Sequence, residues 1–214
     1  MLSAASSLKT SGLRKLVLWS AVAIAAGAIG MERAVTAQET KDNFPDMPTL
    51  NIFTTEEVQR DFFRMQFAKP ADRPDLGFVI VTPKTWDEVP MTIPLDELKH
   101  DNQGTIPLAA LKGPEKDVQI EIAYCRVPET VELEVWARAY LEGNGLEVVH
   151  SQTGDYSGRH VFDTLLNAPE DLKFRLTFSR HGDKIYIVGG SAPASLYEKY
   201  MKIFGLAVLS FRKL

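Results

Sequence analysis

Leu172-Lys-Phe-Arg-Leu-Thr-Phe178, Arg180-His-Gly-Asp183, Lys184-Ile-Tyr-Ile-Val188 and Ser191-Ala-Pro193 form one nearly unbroken passage that specifies a strand, a turn, a second strand and the start of a helix. The first segment alternates apolar and polar residues with the period of a strand. The second carries a glycine for a tight turn, so the third returns as its hairpin partner. A helix is then expected from Pro193, with Ser191 near its cap and Leu196, Tyr200, Ile203 and Ala207 along one face. A hairpin feeding an amphipathic helix points to an α+β domain in which a sheet is covered by helices.

The upstream residues extend the same pattern. Arg159 to Leu165 and Leu146 to His150 read as strands separated by a Thr153-to-Gly158 turn region, and Val118 to Tyr124 alternates cleanly. Between them a helix over Val131 to Leu141 places Leu133, Trp136, Ala137, Tyr140 and Leu141 on one face, and Gly143 and Gly145 end it. Phe78 to Thr82 is a further strand, leading through Pro83 to Trp86. Ile106 to Leu111 is a short one that Pro107 confines to an edge or a strand start. The stretch from Asp87 to Gly104, with Pro90 and Pro94, reads as a surface insertion carrying a helical turn at Leu95 to Lys99. Thr54-Thr-Glu-Glu57 fits a capping box, and a helix over Thr55 to Phe67 is favoured, although Phe63, Met65 and Phe67 also alternate as a strand would.

The Phe78-to-Trp86 strand with its Pro83, the Glu-rich helix bearing Trp136, the Tyr156-Ser-Gly158 turn before a strand, and Ile185 to Pro193 running into a helix that closes on Ser210-Phe211 occur in a telling order. In that order the chain resembles the PsbP-like superfamily over about two thirds of its length. The resemblance implies a curved antiparallel sheet of about six strands with helices on both sides, serving as a binding or assembly module without chemistry. Superfamily members differ too widely in partner for the fold to transfer one.

The amino-terminal residues address the compartment. Lys9, Arg14 and Lys15 precede an apolar run from Leu16 to Gly30, and Ala34-Val-Thr-Ala37 supplies small residues for cleavage, so residues 1–37 read as a signal peptide cut after Ala37. The alternative is an uncleaved membrane anchor, for which the run falls short of the roughly 20 apolar residues that a spanning helix prefers. Residues 38–75 form an amino-terminal extension with a short helix, and 76–214 the PsbP-like domain. The 214-residue chain carries a formal charge of −4; losing a segment with a net +3 leaves −7. An acidic surface disfavours nucleic acid, and membrane is expected as a partner only through an uncleaved amino terminus. Cys125, the only cysteine, can form no internal disulfide and is expected to be buried.

No residues are assigned to catalysis, cofactor or metal. His150 and His160 fall on neighbouring strands, but a metal site needs three or four ligands at set geometry and no motif spacing supplies them. His100 and His181 are expected in solvent. There is no Gly-x-Ser-x-Gly elbow for a hydrolase, and Gly189-Gly190-Ser191 lacks the lysine and spacing of a phosphate loop, which leaves it a tight turn before a helix. The expected interaction surface is Phe62, Phe63 and Phe67 on the short helix, together with Leu95 and Leu98 in the insertion. The function expected is a periplasmic, non-enzymatic binding or assembly module, an accessory component of a cell-envelope or secretion or conjugation complex that works with envelope proteins. A small-ligand or lipid carrier with a pocket between sheet and helices is second, and a hydrolase a distant third.

Overall fold

A computed structural model describes residues 52–89, 104–156 and 158–214. Helix α1 (Thr55–Asp61) leads directly into strand β1 (Phe62–Phe67). Two short 3-10 turns (Pro70–Asp72 and Pro74–Leu76) precede β2 (Phe78–Pro83), which is followed by β3 (Asp87–Val89), β4 (Ile106–Lys112) and β5 (Gln119–Arg126). Helix α2 (Leu133–Gly143) follows, then β6 (Glu147–Asp155), β7 (His160–Ala168), β8 (Leu172–His181) and β9 (Lys184–Pro193). Helix α3 (Ala194–Ser210) and the two-residue β10 (Arg212–Lys213) complete the chain.

Seven strands form one antiparallel sheet in the order β3-β4-β5-β9-β8-β7-β6, and β1-β2-β10 form a smaller one. The β8–β9 hairpin closes on Gly182-Asp183, where Gly182 takes φ 61, a left-handed value that glycine adopts without strain. Helices cover both faces of the main sheet. On one face, α2 lays Leu133, Ala137, Tyr140 and Leu141 on Cys125, Phe162, Leu166, Leu176, Phe178, Ile185 and Ile187. On the other, α3 brings Tyr197, Tyr200, Phe204, Ala207 and Val208 onto Ile120, Ile122, Tyr124, Tyr186 and Val188, and the small sheet adds Phe78 and Ile80 to this core. Trp86, buried, meets Tyr200 and Phe204 edge-on at 6.0 and 6.4 Å.

The structure departs from the sequence reading at several places. The helix expected over Thr55 to Phe67 stops at Asp61, because Phe62–Phe67 pairs residue for residue with β2. Its start is as expected: Glu57 N–H donates to Thr54 Oγ1 at 3.2 Å, and the Glu57 carboxylate accepts from Thr54 N–H at 2.7 Å. The extension before residue 76 thus contributes a strand to the folded unit. β4 lies inside the sheet, and Pro107 falls at its start, as the sequence reading allows, before a bulge at Ala109. Ser191 does not cap α3, and Gly189-Gly190-Ser191 is no turn: all three pair with both β5 and β8 within β9. Gly190 is needed there because a Cβ would sit 2.3 Å from the Phe204 ring, so its absence lets α3 lie close on the sheet. Finally, the stretch expected as a surface insertion begins as strand β3, paired with Ala110–Lys112. The remainder of that stretch, with His100, Leu95 and Leu98, lies outside the described residues.

Candidate functional site

The aromatic segment expected to bind a partner divides once β1 is a strand. Phe62 is buried, its ring 4.8 Å from that of Phe53. Phe67 is half-buried and stacks on the core residue Phe78 at 4.7 Å. Phe63 alone of the three is exposed, with 39% of its surface accessible. Among the described residues no strand pairs with the outer edge of β1, so Phe63 stands beside an open row of backbone hydrogen-bonding groups.

A second feature is a groove of about 610 Å³ at the amino-terminal end of α2, lined by Glu129, Val131, Glu132, Glu134, His160 and Arg180 among others. Arg180 builds its wall. Nη2 donates to Val131 O at 2.6 Å, and Nη1 to the carbonyls of Val127, Pro128 and Gly182 at 3.2, 3.4 and 3.3 Å, tying the segment before α2 to the β8–β9 turn. The glutamates lie where the helix dipole favours negative charge. His160 faces this side of the sheet. His150 is opposite Leu165, whose neighbours lie on the α3 side, so the two histidines occupy opposite faces and do not approach each other. Among the described residues no group of three or more His, Cys, Asp or Glu is arranged to hold a metal ion.

The third feature is a buried polar network on the α3 face. Asp163 and Arg175 are both fully buried; Arg175 Nη2 donates to Asp163 Oδ2 at 2.7 Å and Nε to Oδ1 at 3.2 Å. Thr177 Oγ1 donates to Oδ1 at 2.6 Å and Tyr156 Oη to Oδ2 at 2.7 Å, while Gln152 donates to the Tyr156 hydroxyl at 2.9 Å. The carboxylate thus accepts four hydrogen bonds, the condition under which a buried charge is tolerated. Burial pushes the Tyr156 hydroxyl pKa up, and the Asp163 charge beside it adds to the shift. Tyr156 thereby fastens the β6–β7 connection onto the sheet.

Cys125 is free and buried, and burial pushes its thiol pKa far above the ordinary value, leaving no thiolate for nucleophilic chemistry near neutral pH. His181, expected in solvent, is half-buried at the end of β8 with its ring edge-on to Tyr186 at 5.5 Å. Burial, followed by the charges of Arg159 and Lys213, holds its pKa below the ordinary histidine value. The sequence reading missed the Asp163 network and His181 alike. Their signal was present as the polar half of the alternation in β7 and β8, but the polar half of a strand ordinarily faces water.

No protein-family model matches the chain, and no curated protein sequence matches it. Similarity appears at the level of solved structures. Cyanobacterial PsbP (CyanoP) from Synechocystis sp. PCC 6803 superposes with a TM-score of 0.52 at 12% identity, covering 72% of this chain and 93% of that one. A protein from Bacteroides thetaiotaomicron VPI-5482 aligns at 8% identity and a TM-score of 0.43, over 70% of this chain and 48% of its own. At 12% identity the likeness to CyanoP is one of backbone arrangement, which the chain's residue order also suggests. The chain has the PsbP-like fold.

Proposed function

We propose that the chain is an exported, non-enzymatic binding or assembly module of the cell envelope. Export rests on the amino-terminal sequence, with basic residues, an apolar run and the Ala34-Val-Thr-Ala37 site. The observation that carries the binding role is the contrast between a sheet filled on both faces and an edge strand left open. The main sheet is covered by α2 and α3, whereas among the described residues no strand pairs with the outer edge of β1, which presents the exposed ring of Phe63. Addition of a partner strand to such an edge, anchored by an aromatic side chain, is a recurring mode of recognition.

The second reading, a small-ligand carrier, would use the groove at the start of α2. Its glutamates suit a polar, cationic guest and not a fatty chain. Crosslinking from a photoreactive phenylalanine analogue at position 63 in intact envelopes distinguishes the two. The assembly role predicts a discrete crosslinked protein, lost on Phe63→Asp with an unchanged melting temperature. Absence of any crosslink at 63, with saturable uptake of a small cation by the purified protein, would favour the carrier. Phe67→Asp is not an equivalent probe, since Phe67 stacks on Phe78 and its loss disturbs the core.

A further inference from the structure

The carboxy-terminal end of α3 rests on the outer end of the main sheet, and the residues meeting there are basic. Arg159, immediately before β7, donates from Nη2 to Val208 O at 2.9 Å, and Arg212 donates from Nη1 to Leu209 O and Phe211 O at 2.8 and 2.7 Å. Both guanidiniums thus serve carbonyls at a helix carboxy terminus, where cations are favoured. Arg159 is only 9% exposed and, among the described residues, has no carboxylate within salt-bridge distance; its Nε–H is buried without a partner. Extending the Val161 to Ser179 register by two residues places His181 across from Arg159, and Tyr186 lies one row deeper on the same face, paired with Ser179. His181 Nε2 and the Tyr186 hydroxyl are also buried with no hydrogen-bond partner among the described residues. The ring of Phe211 adjoins both Arg159, whose guanidinium carbon is 5.5 Å from its centroid, and Tyr186, also at 5.5 Å.

We propose that Arg159, His181 and Tyr186 form a binding site for a small oxyanion, with Arg212 and Lys213 at its rim. A buried guanidinium without a counter-charge, next to two further buried polar atoms without partners, is an arrangement that an anion completes: it supplies acceptors to Arg159 Nε–H, the Tyr186 hydroxyl and a protonated His181. The acidic groups facing the cluster leave that role open. Asp155 is exposed and accepts from Gly158 N–H at 2.7 Å. Asp75, which faces Tyr186 from the Pro74–Leu76 turn, is held by Arg73 at 2.8 Å and approached by Lys184 at 3.7 Å. The shared chemistry is that of sulfate, phosphate or a carboxylate group. Binding should draw a proton onto His181 and so tighten as the pH falls from 8 to 6.

The probe is sodium sulfate, whose charge does not change over that range, titrated at constant ionic strength while the imidazole signals of the whole folded chain are followed by NMR. The expected result is a saturable shift of His181 with half-saturation in the millimolar range, several-fold tighter at pH 6 than at pH 8. It should be lost in His181→Phe, followed through backbone amides, and weakened in Tyr186→Phe. Both variants keep the ring packing, so folding is not at issue. Acetate and phosphate titrations then separate a carboxylate from a phosphate preference. A linear, unsaturating response, or a saturable one unchanged in both variants, would overturn the proposal.

Discussion

The two faces of the main sheet are built to different rules. Under α2 the buried strand residues Cys125, Phe162, Leu166, Leu176, Phe178, Ile185 and Ile187 are apolar or nearly so, and the few buried hydroxyls are locally satisfied, as when Thr164 donates to Leu176 O at 2.9 Å. Under α3 the same strands bury Asp163, Arg175 and Thr177 beside Leu165, Tyr186 and Val188, with Arg159 at the end of the row. An apolar face gains stability in proportion to the area it removes from water. A face holding charges gives up part of that gain to desolvation. The comparison teaches that the α2 side is the foundation of this fold, and that the α3 side holds groups whose presence stability alone does not explain.

The largest effect is expected where the apolar face is broken at its centre. Phe178 is fully buried and its ring meets Trp136, Tyr140 and Phe162 at 6.1, 5.8 and 6.3 Å, so Phe178→Ala should cost about 3–5 kcal/mol. Chemical denaturation measures this directly, and a loss below 1 kcal/mol would show that the α2 side is not the foundation. Gly190→Ala tests the other face through its backbone. The new methyl group collides with the Phe204 ring, and a loss of about 1–3 kcal/mol is expected, partly recovered by Phe204→Leu in the same chain. Trp136 is half-buried and packs on Tyr140 and Phe178 from the margin of α2, so Trp136→Ala should cost about 2 kcal/mol, less than removal of Phe178.

Legibility followed the same division. Wherever burial makes an element one-sided, its period was readable. The stripe of α2 and the alternations of β5, β8 and β9 predicted their elements, though α3 turns Tyr197 and Phe204 inward more than Leu196 and Ile203. The reading lost ground where one sequence satisfies two periods. Phe62 to Phe67 fits a helical face and a strand equally, and pairing with β2, a partner ten or more residues away, decides between them. It failed for the polar network because alternation reports which residues share a face, not whether that face meets water. Lys173, Arg175 and Thr177 look like a solvated edge until α3 is laid across them. The distant partners of Arg159 and His181 are likewise invisible in a linear chain.

The smallest expected effect is a pH dependence confined to the α3 side. The folded-state pKa of His181 lies below its ordinary value of 6.5, so the unfolded chain binds the proton more readily. Stability is therefore fully present above about pH 6.5 and declines as the pH falls from there toward the depressed folded value. Asp75 titrates much lower, its carboxyl held at about 2 by the Arg73 guanidinium, so its contribution is lost only as the pH falls below about 4. Thermal melts in a non-coordinating buffer from pH 8 to 5 should show the first decline in the native chain and not in His181→Phe. Identical profiles would remove His181 from this account.

A double-mutant cycle across Asp163 and Arg175 tests the contrast between the faces most directly. Asp163→Leu alone leaves the Arg175 guanidinium buried without its counter-charge, and a loss of about 3–5 kcal/mol is predicted. With Arg175→Met added, no unpaired charge remains, and stability should return to within about 2 kcal/mol of the native chain, or exceed it. If the double variant instead loses as much as the two single losses added together, the pair is a mainstay of the fold, and the α3 face is as much a foundation as the face beneath α2.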